Sequence, residues 1–161
     1  MKMKSIALAA ILAASPFVLA ACNREPDETS TKTVVEKDGA KATVEIEDAW
    51  CRPTPNGAQA GACYLKIKSS VANRVTGVAT PLATEAMIHD MTMANGMMTM
   101  GGMADGLPLV GGQEVALEPG GKHVMLMGLT APLTDGTAVP LTLTFSATPA
   151  MTVQAAVRQP E

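Results

Sequence analysis

Apolar and polar positions in this 161-residue chain alternate in short runs, and those runs define its expected elements. Val44 and Ile46, with Asp48 continuing the phase, alternate with Thr43, Glu45 and Glu47. That period of two predicts a strand running on through Ala49-Trp50-Cys51. Cys63-Tyr64-Leu65-Lys66-Ile67-Lys68 repeats the pattern with both lysines on one face. Between them, PTPNGAQAG (53–61) is dense in breakers and predicts a loop. Further strands are predicted over 74–79, 86–93, 97–103, 113–117, 123–129, 141–147 and 151–157, separated by turn signals such as Gly111-Gly112, Pro119-Gly120-Gly121 and Asp135-Gly136. No internal repeat or amphipathic helix breaks this cadence. Eight or nine short strands predict an all-β domain, a Greek-key barrel or sandwich.

The N-terminal 22 residues have a different pattern. Lys2 and Lys4 precede a short apolar run, Ile6 to Ala14, and small residues follow. This is the layout of an export signal. It ends Leu19-Ala20-Ala21-Cys22, which resembles a bacterial lipobox, so Cys22 is the expected lipidated first residue of the mature chain. Ordinary cleavage near Val18-Leu19-Ala20 would instead leave Cys22 as a free thiol. Residues 23–41 are polar and charged and predict a flexible tether with a reach of roughly 25 Å. The Val34-Val35 pair within it could add a short edge strand. The folded domain is expected over 42–161, held in the periplasm by a lipid anchor on the cell-envelope membrane.

Composition narrows the picture further. Trp50, Tyr64 and Phe145 are the only aromatic residues beyond the leader, so the core must come from aliphatic side chains and methionine. The formal charge of −3 becomes −5 once Lys2 and Lys4 are removed with the leader. An acidic domain argues against nucleic acid and against charge-driven membrane binding. Nothing after Asn23 is long and apolar enough to span a bilayer as a helix. Cys51 and Cys63 flank the 53–61 loop at the facing ends of two strands. In an oxidising compartment a disulfide is expected there, and the spacing is not the Cys-x-x-Cys of a redox or thiolate metal site.

The chemistry concentrates between His89 and Met127, which hold both histidines and most of the methionines. Asn95-Gly96 between two strand-like runs predicts a two-residue hairpin turn. Such a turn pairs Met93 with Met98, Met91 with Met100, and His89 with Gly102. His89, Met91, Met93, Met98 and Met100 then share one face, while Ile88, Thr92, Met97 and Thr99 share the other. His123, Met125 and Met127 likewise project to one side of their strand, and Val124 and Leu126 to the other. His89, Met100, His123 and Met125 make a candidate set of two imidazoles and two thioethers, with Met91 as a possible auxiliary ligand. Neutral, soft thioethers select Cu(I) over Zn(II), Mg(II) or Ca(II). Blue-copper chemistry is disfavoured, since it needs a cysteine thiolate beside two histidines. Methionine is also a common core filler. Met87, Met97 and Met151 are read that way, and Met103 and Met127 could be either. On the residues alone, both the copper site and a methionine-filled core stand.

At these residues the chain resembles the periplasmic copper chaperone family called PCuAC. The family motif is His or Met, ten residues, Met, about twenty-one residues, and His-x-Met. Here ten residues separate His89 from Met100, and His123-Val124-Met125 follows after twenty-two. The extra residue falls most naturally in the loop GGMADG. The words MIHDMTMANGMMTM, LEPGGKHVMLMGL, VPLTLTF and AWCRPTPNGAQAGACYLKI carry the likeness over roughly 44–147. Cys51 and Cys63 stand where the family commonly has small residues, and the Met/His-rich tail of some members is missing. The resemblance implies a cupredoxin-like barrel binding Cu(I) through His89, Met100, His123 and Met125. It also implies a chaperone, not an enzyme, that passes copper by ligand exchange to the cytochrome c oxidase copper subunit alongside Sco-type thiol proteins. The alternatives are a periplasmic copper buffer with no dedicated acceptor, and an anchored binding module without metal.

Overall fold

The computed structural model describes residues 31–37 and 40–160, so the leader, Cys22 and residues 23–30 of the expected tether lie outside the described residues. Among those described there are eleven strands and no helix. They are β1 (Thr31–Lys37), β2 (Ala40–Cys51), β3 (Ala60–Ser69), β4 (Asn73–Ala79), β5 (Ala83–Ala94), β6 (Met97–Gly102), β7 (Leu107–Leu109), β8 (Glu114–Leu117), β9 (His123–Leu129), β10 (Ala138–Phe145) and β11 (Met151–Val157). The strands hydrogen-bond in the order β6-β5-β9-β3-β2-β11-β10-β4-β7, with β1 added to β2 and β8 to β3. Most neighbours are not consecutive in sequence, and the path curls so that β4 lies against β5. The result is the expected all-β, cupredoxin-like Greek-key barrel.

Nine of the strands coincide with the nine runs read from the sequence. The other two raise the count above eight or nine. One is β1, around the Val34-Val35 pair, which pairs antiparallel with β2 from Thr31↔Ile46 to Lys37↔Ala40. The other is β7, a Leu-Pro-Leu run outside the predicted strands, whose proline cannot donate to a ladder. It survives as a three-residue strand at the end of the path, with Leu107 and Leu109 buried.

Alternation sets which side of each strand faces the core. Val44, Ile46, Leu65, Ile67, Val124, Leu126, Leu141, Leu143 and Val153 are all buried in a single cluster. Phe145 and Met151 join it, so Met151 is the core filler expected. One irregularity changes which residues reach the outer face. Strand β2 breaks register against β3 between Glu47 and Trp50, and Asp48 has a left-handed backbone (φ 51°). Asp48 therefore does not continue the buried phase of Val44 and Ile46. This bulge shifts the alternation by one residue. Ala49 and Cys51 take the inward positions, and Trp50, though buried, stands outside the core cluster on the outer face. Cys51 and Cys63 lie directly opposite each other and are joined by a buried disulfide.

Candidate metal centre

The β5–β6 hairpin forms as its sequence requires. Asn95 (φ 53°) and Gly96 (φ 78°) are both left-handed, the signature of a two-residue type I′ turn. The register is the one the turn dictates: Ala94↔Met97, Met93↔Met98, Met91↔Met100 and His89↔Gly102. The partner of β5 on its other side could not be read from a turn. It is β9, in the register His89↔His123 and Met87↔Met125. Ile88, Val124 and Leu126 point into the core. Their neighbours Met87, His89, His123, Met125 and Met127 therefore project together from the outer face.

The two imidazole rings lie edge to face, their centroids 5.8 Å apart. Two imidazoles sharing one ion at a metal–nitrogen distance of about 2.0 Å hold their centroids roughly 5–6 Å apart, so the pair is spaced to share one. His123 is buried, and its Nδ1 lies 3.1 Å from the Gly121 carbonyl. A carbonyl only accepts, so Nδ1 is the donor here, and Nε2 is the nitrogen left to take a metal. In His89, Nδ1 is buried with no hydrogen-bond partner. An orphaned buried nitrogen costs about 1–3 kcal/mol and invites a ligand. Burial, and then the neighbouring His123, lower the His89 pKa, while Glu85 pulls weakly upward. The fold thus favours the neutral ring, the form that can bind a metal. Among the described residues no three His, Cys, Asp or Glu side chains gather to hold an ion. Any metal held here would need thioether beside imidazole, and the donor set present fits a soft cation.

The structure brings some of the expected sulfur donors closer than others. Met125 is half-buried, two residues from His123 on the same strand face. Met100 lies on β6, diagonal to His89 and half exposed at 50%. Met91 is directly opposite Met100 and next to His89 along β5. Met87, expected as core filler, is a correction. It sits across from Met125 and two residues from His89 on the same face, half-buried. A Cβ built on Gly102 would come 2.9 Å from the Met87 sulfur and 3.6 Å from His89 Nε2. The bare glycine leaves room for the Met87 sulfur close to that ring. Its shared parity with His89 was the available signal. Met97, also expected as core, is 70% exposed on the hairpin's opposite face. Met103 packs against the core edge, and Met127 is half-buried on the outer face.

Two neighbours have no signal in the sequence pattern. Tyr64 lies beside His123, ring centroids 6.5 Å apart, and Trp50 stacks on Tyr64 at 4.6 Å. Arg158 lies over the Trp50 ring at 4.9 Å and binds Asp48 at 2.8 Å. The β2 bulge thus walls one side of the histidine pair with aromatic rings. On the other strand face, Lys122 pairs with Asp90 at 3.0 Å, one residue from each histidine. At this exposure the ion pair contributes at most about 1 kcal/mol, and it favours the β5–β9 register.

Comparisons with known proteins agree with this architecture. Residues 44–157 match the family described as "Putative lipoprotein LpqE-like". A curated relative from Leifsonia xyli subsp. xyli, likewise named a putative lipoprotein, is 34% identical over 103 residues. The match takes in 64% of this chain and 62% of that relative's length. Among solved structures, the copper-bound PCuAC domain from PmoF2 superposes with a TM-score of 0.61 at 23% identity, covering 81% of this chain and 99% of that domain. The solution structure of apo-DR1885 from Deinococcus radiodurans gives a TM-score of 0.57 at 26% identity, covering 99% and 97% of the two chains. The CuI-DR1885 structure gives 0.54 at 34% identity, covering 68% and 74%.

Proposed function

The chain belongs to the LpqE-like lipoprotein family and has the PCuAC fold, and from that premise we propose that it is a cell-envelope copper chaperone. In this reading it binds Cu(I) through His89, Met100, His123 and Met125. The observation that carries it is the in-register His89–His123 pair, one ring with an orphaned nitrogen and the other oriented by its Nδ1 donor bond, on a face otherwise supplied with thioethers. The copper-bound PmoF2 domain and CuI-DR1885 support the choice of ion. The set is neutral, so it holds Cu(I) without the tight grip of thiolates. A partner's ligands displace the four donors one at a time, and the bare ion is never released.

We further propose that Cys22 carries a lipid anchor and that the domain works in the periplasm. There it would load the cytochrome c oxidase copper subunit or a Sco-type thiol protein, as a carrier and not a catalyst. X-ray absorption on the Cu(I)-loaded protein tests the site, with two nitrogen and two sulfur neighbours expected. Joint substitution of His89→Ala and Met125→Ala should greatly weaken Cu(I) binding against a competing chelator, and unchanged affinity would sink the assignment. Deleting the gene tests delivery. Oxidase activity lost at low copper supports it, whereas copper sensitivity with normal oxidase supports a buffer.

A further inference from the structure

One face of the outer half of the β5–β6 hairpin holds four thioethers, more than a single ion at the histidine pair can use together. Met91 faces Met100 and Met93 faces Met98 in two successive rungs, so all four share one surface. Directly opposed side chains have Cβ atoms about 4.5–5.5 Å apart, within easy reach for long, unbranched methionine. Packing does not account for them. Met93, Met98 and Met100 are 68%, 56% and 50% exposed, and β6 is exposed along its whole length at the edge of the sheet. Burying such side chains is what would have let them stabilise the fold.

The chemistry of this surface is unmixed. Residues 91–100 contain no charged side chain. The hydroxyls of Thr92 and Thr99 lie on the opposite face, where Thr99 bonds back to the Thr92 carbonyl at 3.4 Å. A hard dication finds no carboxylate here, while a soft monovalent cation finds sulfur on both strands.

We propose that Met91, Met93 and Met98, with Met100 shared at the boundary, form a second soft-cation site that takes Cu(I) or Ag(I) through thioethers alone. It lies outward of the histidine pair on the same strand face. Met100 can serve either site, so an ion held at the tip is one ligand exchange from His89. No electron or proton moves in that exchange, and the ion stays monovalent. The identity of the natural cargo rests on the proposed copper function, while the site itself rests on the hairpin.

Titration of the full-length mature protein with Ag(I), followed by native mass spectrometry and methionine-methyl NMR, tests the site. Two ions per chain are expected, one moving the Met125 methyl and one moving those of Met91, Met93 and Met98. The pair His89→Ala with His123→Ala should keep one ion, still read at the tip methyls. The volume-conserving pair Met93→Leu with Met98→Leu should keep only the ion read at Met125. Zn(II) should leave the tip methyls unmoved in every form. A single ion in the wild type with silent Met93 and Met98 methyls overturns the proposal and leaves the histidine site standing. Two ions in the Met93→Leu, Met98→Leu protein overturn it as well. Tip methyls that shift while Met125 stays silent would uphold the second site and sink the histidine reading instead.

Discussion

At the scale of single residues, His89 carries two linked expectations. Burial and His123 keep its pKa below the ordinary imidazole value, so the folded chain favours the neutral ring. Its contribution to stability is therefore full above pH of about 6.5, the unfolded value, and is lost as pH falls through the lower folded value. Urea unfolding in the metal-free state should give a lower midpoint at pH 5 than at pH 7.5, and His89→Ala should flatten that difference. Protons also compete with the metal for the ring, so Cu(I) affinity should hold near pH 7 and weaken over the same acid window. Competition with a chelator across pH checks this, and a flat profile would count against histidine ligation. Gly102 gives a steric test. In Gly102→Ala the new methyl would displace the Met87 sulfur, which sits across from the proposed ligand Met125 and beside His89, while His89 Nε2 at 3.6 Å stays in ordinary contact. Cu(I) affinity should drop by about tenfold, a cost of about 1.4 kcal/mol. The melting temperature should barely move, because the displaced side-chain tips lie outside the core. Met87 shows the limit of reading residues singly. Methionine is ambiguous between filler and ligand, and only its partner across the strand, Met125, separates the two.

At the scale of elements, the hairpin is the most fully written part of the site. The Asn95-Gly96 turn alone sets the β5–β6 register, because a two-residue turn leaves no freedom in which residues pair. Replacing both by alanine would force a new Cβ into left-handed backbone at Gly96, at about 1–2 kcal/mol, and would put at position 95 a residue that tolerates that conformation less well than asparagine. Hydrogen exchange should then show β6 amides losing protection while those of β9 and β3 keep theirs, and Cu(I) affinity should fall with Met100 misplaced. The β2 bulge is not written so plainly. Alternation through Val44, Ile46 and Asp48 predicts an unbroken strand, and nothing in the run itself announces the extra residue. The ladder to β3 requires it, because Cys51 and Cys63 face inward together only if the phase shifts before them. Trp50 then lands on the outer face beside Tyr64, which in turn borders His123.

At the scale of the whole molecule, the disulfide and the long-range ladders hold the site's frame. Cys51–Cys63 ties β2 to β3, and β3 carries β9 through Cys63↔Val124 and Ala62↔Met125. Closing a loop of about 13 residues stabilises the fold by roughly 3 kcal/mol in the chain-entropy model. The double variant Cys51→Ala, Cys63→Ala should lose about that much in chemical unfolding, and a loss near zero would mean the cross-link restrains little. What the sequence determined by itself was local. Period-two alternation yielded nine strands and some of their faces, such as Val124 and Leu126 inward on β9 but not the half of β2 beyond its bulge; a turn with two left-handed residues yielded one register, and residue softness yielded the class of ion. What only the tertiary structure decided was the meeting of segments with no turn between them. His89 and His123 are 34 residues apart. Their pairing depends on β5 and β9 lying side by side, a choice made by the closure of the shared core beneath Ile88, Val124 and Leu126. That burial is summed over the whole barrel, so no short stretch of sequence contains it.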